Sequence, residues 1–262
     1  MFRKESSEKI AAWIDKGDLD QFAKYLMSGM IHGKPGVPVA ELSRVAKILR
    51  EALTEGERYR LAKKLLVRPE YTARNIGTHL LASGWPKFKD IESWMRKAAD
   101  DEDWIVREYA AGLFAALLEQ DFAHFSKIYH KWARSESVNV KRAVALAVKY
   151  DSRGGDSTRW KTYFNLIDPL MGESAEYIRK NLGPFAIGDG LLKRFPKPVF
   201  TACKKWLKSG NENVRWNVAM IFTAAAARNF AKESRPILRD LVDDESAFVA
   251  RAAKKALRNI DR

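Results

Sequence analysis

The chain has 262 residues, 46% of them apolar, with 47 Lys and Arg against 33 Asp and Glu for a formal net charge of +14. That length allows one domain or two small ones with a sizeable core, which excludes a disordered chain. One cysteine, Cys203, excludes a disulfide scaffold or thiolate zinc site, and the scattered His32, His79, His124 and His130 form no obvious metal cluster.

The N-terminus, MFRKESSEKI, has no signal-peptide core, and no apolar run reaches the length of a membrane span. Residues 1–65 read as less regular helices, interrupted by the breaker Gly33-Lys34-Pro35-Gly36-Val37-Pro38. A short string then recurs: a polar residue, a β-branched or small anchor, then usually a base. It begins weakly at Glu70-Tyr71-Thr72-Ala73-Arg74. Fuller copies are Asp103-Trp104-Ile105-Val106-Arg107, Ser137-Val138-Asn139-Val140-Lys141, Ala175-Glu176-Tyr177-Ile178-Arg179, Asn211-Glu212-Asn213-Val214-Arg215 and Ser246-Ala247-Phe248-Val249-Ala250. The anchors at 73, 106, 140, 178, 214 and 249 stand 33, 34, 38, 36 and 35 residues apart. A period of that length without strand-like alternation means stacked helical repeats.

Each period predicts two helices. After Val106 come Ala110, Leu113, Phe114 and Leu117, then Phe122, Phe125, Ile128, Tyr129 and Trp132 on a second helix. Asp103, Ser137, Asn211 and Ser246 are placed to cap the anchor helices. Breakers are expected at Gly84-Trp85-Pro86, Ser152-Arg153-Gly154-Gly155, Lys193 to Pro198 and Ser209-Gly210. The period and the Val-Arg signature resemble HEAT-type repeats. The expected fold is an all-α, HEAT-like helical repeat solenoid with a concave basic groove, residues 1–262 forming a single domain of about six to seven repeats. In such repeats the base after the anchor links neighbours, which is the expected role of Arg74, Arg107, Lys141, Arg179 and Arg215. Trp85, Trp94, Trp132, Trp206 and Cys203 are expected in the packing.

A position two beyond a buried anchor lies roughly 200° around the helix, away from the core side. That register collects Asn75, Glu108, Arg142, Lys180, Trp216 and Arg251. Bases repeated at this spacing suit a phosphate backbone, and Trp216 suits base stacking. Glu108 shares a helix face with Trp104, with Arg107 beside them. A carboxylate among bases can stabilise the oxocarbenium-like charge of a breaking glycosidic bond, and an aromatic face can stabilise a cationic base. The alternative is that Glu108 pairs with Arg107 or Arg142 on a solvated face.

Several segments resemble the bacterial alkylpurine DNA glycosylases of the AlkC/AlkD group. These are Gly36 to Lys47 (GVPVAELSRVAK), Asp103 to Ala111 (DWIVREYAA), Val140-Lys141-Arg142-Ala143, and Tyr177 to Gly183 (YIRKNLG), in family order. The resemblance implies cofactor-free excision of cationic N3- or N7-alkylated purines from double-stranded DNA held in a concave groove, without base flipping. It also implies a monomer, without a membrane, in the bacterial cytoplasm at the nucleoid. By position it makes Glu108 the catalytic carboxylate, Trp104 its aromatic partner and Asp189 a second acid. Arg142 matches a backbone-contacting base, and Arg107, Lys141, Arg179, Lys180, Trp216 and Arg251 complete the expected DNA-binding set. Two departures stand out. Pro184, with Phe185 beside it, occupies the place of a family Trp, and Ala145-Leu146-Ala147 lacks the further carboxylate of one branch. A non-catalytic binder of DNA or RNA and a protein-interaction scaffold are the competing readings.

Overall fold

The computed structural model describes residues 2–154 and 156–262, so Gly155 of the expected breaker lies outside the described residues. The regular structure of the described residues is helical apart from one short hairpin, and the chain divides into two compact units, Met1–Leu113 and Phe114–Arg262.

The first unit holds α1 (Ser7–Asp15), α2 (Leu19–Leu26), a hairpin of β1 (Met30–Ile31) and β2 (Lys34–Pro35), α3 (Val39–Ala52), α4 (Glu55–Leu65), α5 (Tyr71–Leu81) and α6 (Ile91–Ala99). The start of α7 (Trp104–Gln120) also belongs to it. Local chemistry sets these ends. Ser6 and Asp18 accept hydrogen bonds from Lys9 N and Gln21 N, and Thr54 forms a capping box with Glu57. The hairpin corrects the expectation of a plain breaker at Gly33 to Pro38. His32 (φ 51°) and Gly33 (φ 73°) form the turn, both in the left-handed region that a two-residue hairpin needs.

The second unit continues α7 and adds α8 (Phe122–Trp132), α9 (Val138–Gly154), α10 (Trp160–Ile167) and α11 (Glu176–Asn181). A π-helical segment, Leu182–Leu191, leads into the short α12 (Leu192–Arg194). Then come α13 (Pro196–Trp206), α14 (Glu212–Ile221), α15 (Ala231–Val242) and α16 (Ala247–Ile260). Ser152 and Arg153 do not break the chain as expected: α9 runs through them to Gly154. The caps form at Asp103, Ser137 and Asn211, which accept from Ile105 N (2.9 Å), Val140 N (3.2 Å) and Asn213 N (2.8 Å). Ser246 sits at its N-cap position, but its hydroxyl donates to the Glu212 carboxylate instead.

All six anchors, Ala73, Val106, Val140, Ile178, Val214 and Val249, are buried. After four of them, at Arg74, Lys141, Arg179 and Arg215, the base that follows links one repeat to the next. Arg74 donates to both oxygens of Asp101 (2.8 and 3.0 Å), to Glu102 and to the carbonyls of Arg68 and Pro69. Arg215 repeats this geometry on Asp244 (2.7 and 3.0 Å), Glu245 and the Ser209 carbonyl. Trp132, Trp206 and Cys203 are buried in the second unit.

Candidate nucleic-acid interface

In the first unit the candidate residues gather at the start of α7. Asp103 accepts from Ile105 N and pairs with Lys34 Nζ at 2.8 Å, tying the hairpin to the helix. Lys34 Nζ also lies 5.7 Å from the centre of the Tyr71 ring. Trp104 is 47% exposed, and the His32 imidazole tilts against it with ring centres 5.7 Å apart. Val106 and Ile105 turn inward onto Tyr71, with Met27 and Tyr109 packed around them. Glu108 is half-buried one turn after Trp104. Arg107 donates to the carbonyls of Asp101 (2.6 Å) and Glu102 (2.9 Å), so it braces the turn that precedes its own helix. Tyr109 meets the His79 ring edge-on at 4.7 Å. Burial, aided by the Glu108 charge, raises the Tyr109 phenol above its ordinary value. Burial, with the positive charge of Arg50, pushes the His79 imidazole down to about 4, so it is neutral at pH 7.

In the second unit the bases are built into repeat contacts. Lys141 pairs with Glu173 at 2.7 Å. Arg142 is only 7% exposed and stacks on Tyr177, 4.6 Å from its centre. Arg179 donates to Asn213 Oδ1 and lies over both Trp216 (5.3 Å) and Phe248 (4.8 Å). Those two rings are parallel, with centres 5.1 Å apart. Lys180, paired with Glu176 at 2.7 Å, and Arg251 are exposed.

Asp189 lies on the π-helical segment among cations. Lys149 Nζ is 2.9 Å away, Lys193 is bonded to it and Arg153 is at 3.9 Å. Burial alone would raise this carboxyl, but the Lys193 and Lys149 ammonium groups hold it below the ordinary carboxylate range. Lys149 also lies 4.6 Å from the ring centre of Phe185, which is 51% exposed.

Two positions depart from the open register expected two residues past each anchor. Asn75 is fully buried and Arg142 nearly so. Each helix packs against its hairpin partner and against a neighbouring repeat, so the side opposite the anchor is not necessarily solvent. The periodicity did not reveal His32, His79, Lys149 or the exposed Phe185 as neighbours of candidate residues. For His32 the sequence does hold a signal, a His-Gly pair able to adopt left-handed φ.

An all-α chain of helix pairs, four of whose buried anchors are followed by a base bound to the next repeat, is a helical repeat protein. It belongs to the DNA alkylation repair enzyme family, whose model matches residues 7–187, and this membership gives it a DNA repair role with DNA as partner. No curated protein matches the sequence. Among solved structures it is similar to the E. coli protein YibA, at 18% identity over 98% of each chain with a TM-score of 0.42. It is also similar to a designed armadillo repeat protein, at 15% identity over 97% of this chain and 100% of that one with a TM-score of 0.36. No described helix is long and apolar enough to cross a membrane.

Proposed function

We propose that the chain is a DNA glycosylase that removes cationic N3- or N7-alkylated purines, with Glu108 as its charge-stabilising carboxylate. The observation that carries this reading is the pairing of a half-buried Glu108 with the exposed Trp104 one turn earlier, in a family of DNA alkylation repair enzymes. As the N-glycosidic bond lengthens, positive charge grows on the deoxyribose and the neutralised purine leaves. A fixed carboxylate favours that transition state over the ground state. The Trp104 face favours the cationic lesion over an ordinary base. Water then adds to the sugar cation at C1′, passing its surplus proton to the Glu108 carboxylate or to solvent, and the reaction needs no cofactor.

In this reading the exposed Lys180 and Arg251 meet phosphates directly. Arg107, Lys141, Arg142 and Arg179, fixed in carbonyl, ion-pair and stacking contacts, add positive field, and Trp216 braces the Arg179 stack. Asp189, enclosed by Lys149, Arg153 and Lys193, orients those cations.

The test is release of 3-methyladenine and 7-methylguanine from methylated duplex DNA at low salt, by wild type and Glu108→Gln. Wild type releases base. Glu108→Gln is slower by about 100-fold or more, with equal or tighter DNA binding because a negative charge has gone. Binding without release by wild type refutes the glycosylase and leaves a DNA-binding module of the same family.

A further inference from the structure

The hairpin of β1 and β2 packs around the first residue of α7. Lys34 Nζ, on β2, pairs with Asp103 at 2.8 Å and lies 5.7 Å from the centre of the Tyr71 ring. Just after β2, Gly36 abuts the Tyr71 hydroxyl so closely that no Cβ fits there. Tyr71 packs in turn on Ile105 and Val106. The hairpin is thus fixed to the residues on both sides of Trp104. A hydrogen bond from Gly36 N to the Gly29 carbonyl, 2.9 Å, closes its base. From this frame the turn residue His32 reaches Trp104, with ring centres 5.7 Å apart and planes inclined by 59°.

Histidine is an unusual choice for that turn. Among the described residues His32 is the one non-glycine residue with positive φ. Left-handed φ crowds Cβ against the following carbonyl, and the place before the glycine of a two-residue hairpin turn ordinarily goes to asparagine, aspartate or glycine. Strain of this kind persists where the side chain has a use. Here the histidine side chain adds a ring beside Trp104, which none of those three residues has. Trp104 needs the support, because it opens α7 and is 47% exposed. An exposed side chain changes rotamer within nanoseconds, and a freely turning indole offers a base no fixed face.

We propose that His32 is a positioning residue for Trp104: the hairpin sets its imidazole against part of the indole and so holds the open part in one orientation toward the cationic purine. This inference rests on the role assigned above to Trp104. The indole supplies the electron-rich face that attracts a cation. The imidazole supplies a flat contact that limits how the indole can turn. Lys34, through Asp103 and Tyr71, fixes where that contact falls. A side chain without a ring at position 32 leaves the hairpin standing and the indole loose.

The experiment compares wild type, His32→Asn and His32→Phe as full-length protein by thermal unfolding, affinity for methylated duplex and single-turnover base release. The 15N order parameter of the Trp104 indole N–H, assigned with Trp104→Phe, is recorded for each. Asparagine suits the turn, so the melting temperature of His32→Asn is expected to equal or exceed that of wild type. Its Trp104 order parameter falls from about 0.85 to below about 0.6. Release slows about tenfold while DNA affinity stays within about threefold. Phenylalanine keeps a ring but suits the turn poorly, so His32→Phe melts below wild type, yet it keeps the order parameter and releases base within about twofold of wild type. A role in stability alone predicts the reverse order of release. In His32→Asn an unchanged order parameter or unchanged release overturns the proposal, and so does a folded His32→Phe that behaves like His32→Asn. If His32→Phe does not fold, His32→Asn decides alone. If wild type itself releases no base, the glycosylase reading fails separately. The positioning role is then judged on the order parameter: a fall in His32→Asn supports it and constancy overturns it.

Discussion

Replacing Arg215 with leucine tests whether the base after each anchor holds the repeats together. Its guanidinium makes two hydrogen bonds to Asp244, one to Glu245 and one to the Ser209 carbonyl. The Asp244 side chain is nearly buried, whereas Glu245 is 85% exposed and contributes little. Removing one partner of a buried pair costs about 3–5 kcal/mol. Asp244 keeps the Ser246 N–H at 2.9 Å, which places the loss at the lower end, about 3 kcal/mol. For a unit of this size that corresponds to a fall in melting temperature of roughly 6–12 °C. Far-UV circular dichroism during thermal and urea unfolding measures it. The double variant Arg215→Leu with Asp244→Leu leaves no buried charge unpaired, so it is expected to lose about 2 kcal/mol less than the sum of the single variants.

The same pair sets a pH dependence. Hydrogen bonds from Arg215 hold the Asp244 carboxyl below its ordinary value, overcoming the opposing effect of burial. The folded state therefore binds this proton less readily than the unfolded chain does. The contribution is complete above about pH 4 and is lost as pH falls through the folded-state value. The gap between wild type and Arg215→Leu should narrow accordingly in acid. A cost below about 1 kcal/mol at pH 7, or simple additivity in the double variant, refutes the linking role. Arg74, with its equivalent contacts to Asp101 and Glu102, supplies a replicate in the first unit.

Gly188 on the π-helical segment packs directly against the Ile221 carbonyl, and a Cβ there would also lie 2.8 Å from Ala224 Cβ. Since that carbonyl is backbone, Gly188→Ala is expected to destabilise by about 2 kcal/mol, and a smaller loss than about 0.5 kcal/mol in urea unfolding contradicts the packing. The Cys203 thiol is fully buried and pushed up to about 12 by burial. It should therefore resist an aromatic disulfide reagent in the native protein and react on unfolding, whereas fast native reaction at pH 8 contradicts the placement.

What the sequence made legible was whatever repeats. Each anchor must be buried in every repeat, so a near-constant spacing survives drift in the residues between. Arg74 and Arg215 are recognisable because each must reach an acid at the start of the following repeat, which fixes its offset from the anchor. The hairpin at Met30–Pro35 escaped the same treatment because strands of two residues are too short to show alternation. The π-helical segment escaped it because its Gly183-Pro184 pair reads as a break, whereas the chain stays helical through it with the register shifted.

The burial of Asn75 and Arg142 escaped for a more general reason. A hydrophobic stripe tells which side of a helix meets its partner when only one side is covered. A helix inside a stack meets its hairpin partner and a neighbouring repeat, so polar residues two past the anchor are enclosed as well. Arg142 meets this enclosure by stacking its guanidinium on Tyr177, while Asn75 remains without hydrogen bonds. Equivalent positions in one repeat register thus enclose different polar groups, a stacked guanidinium in one and an amide in the other.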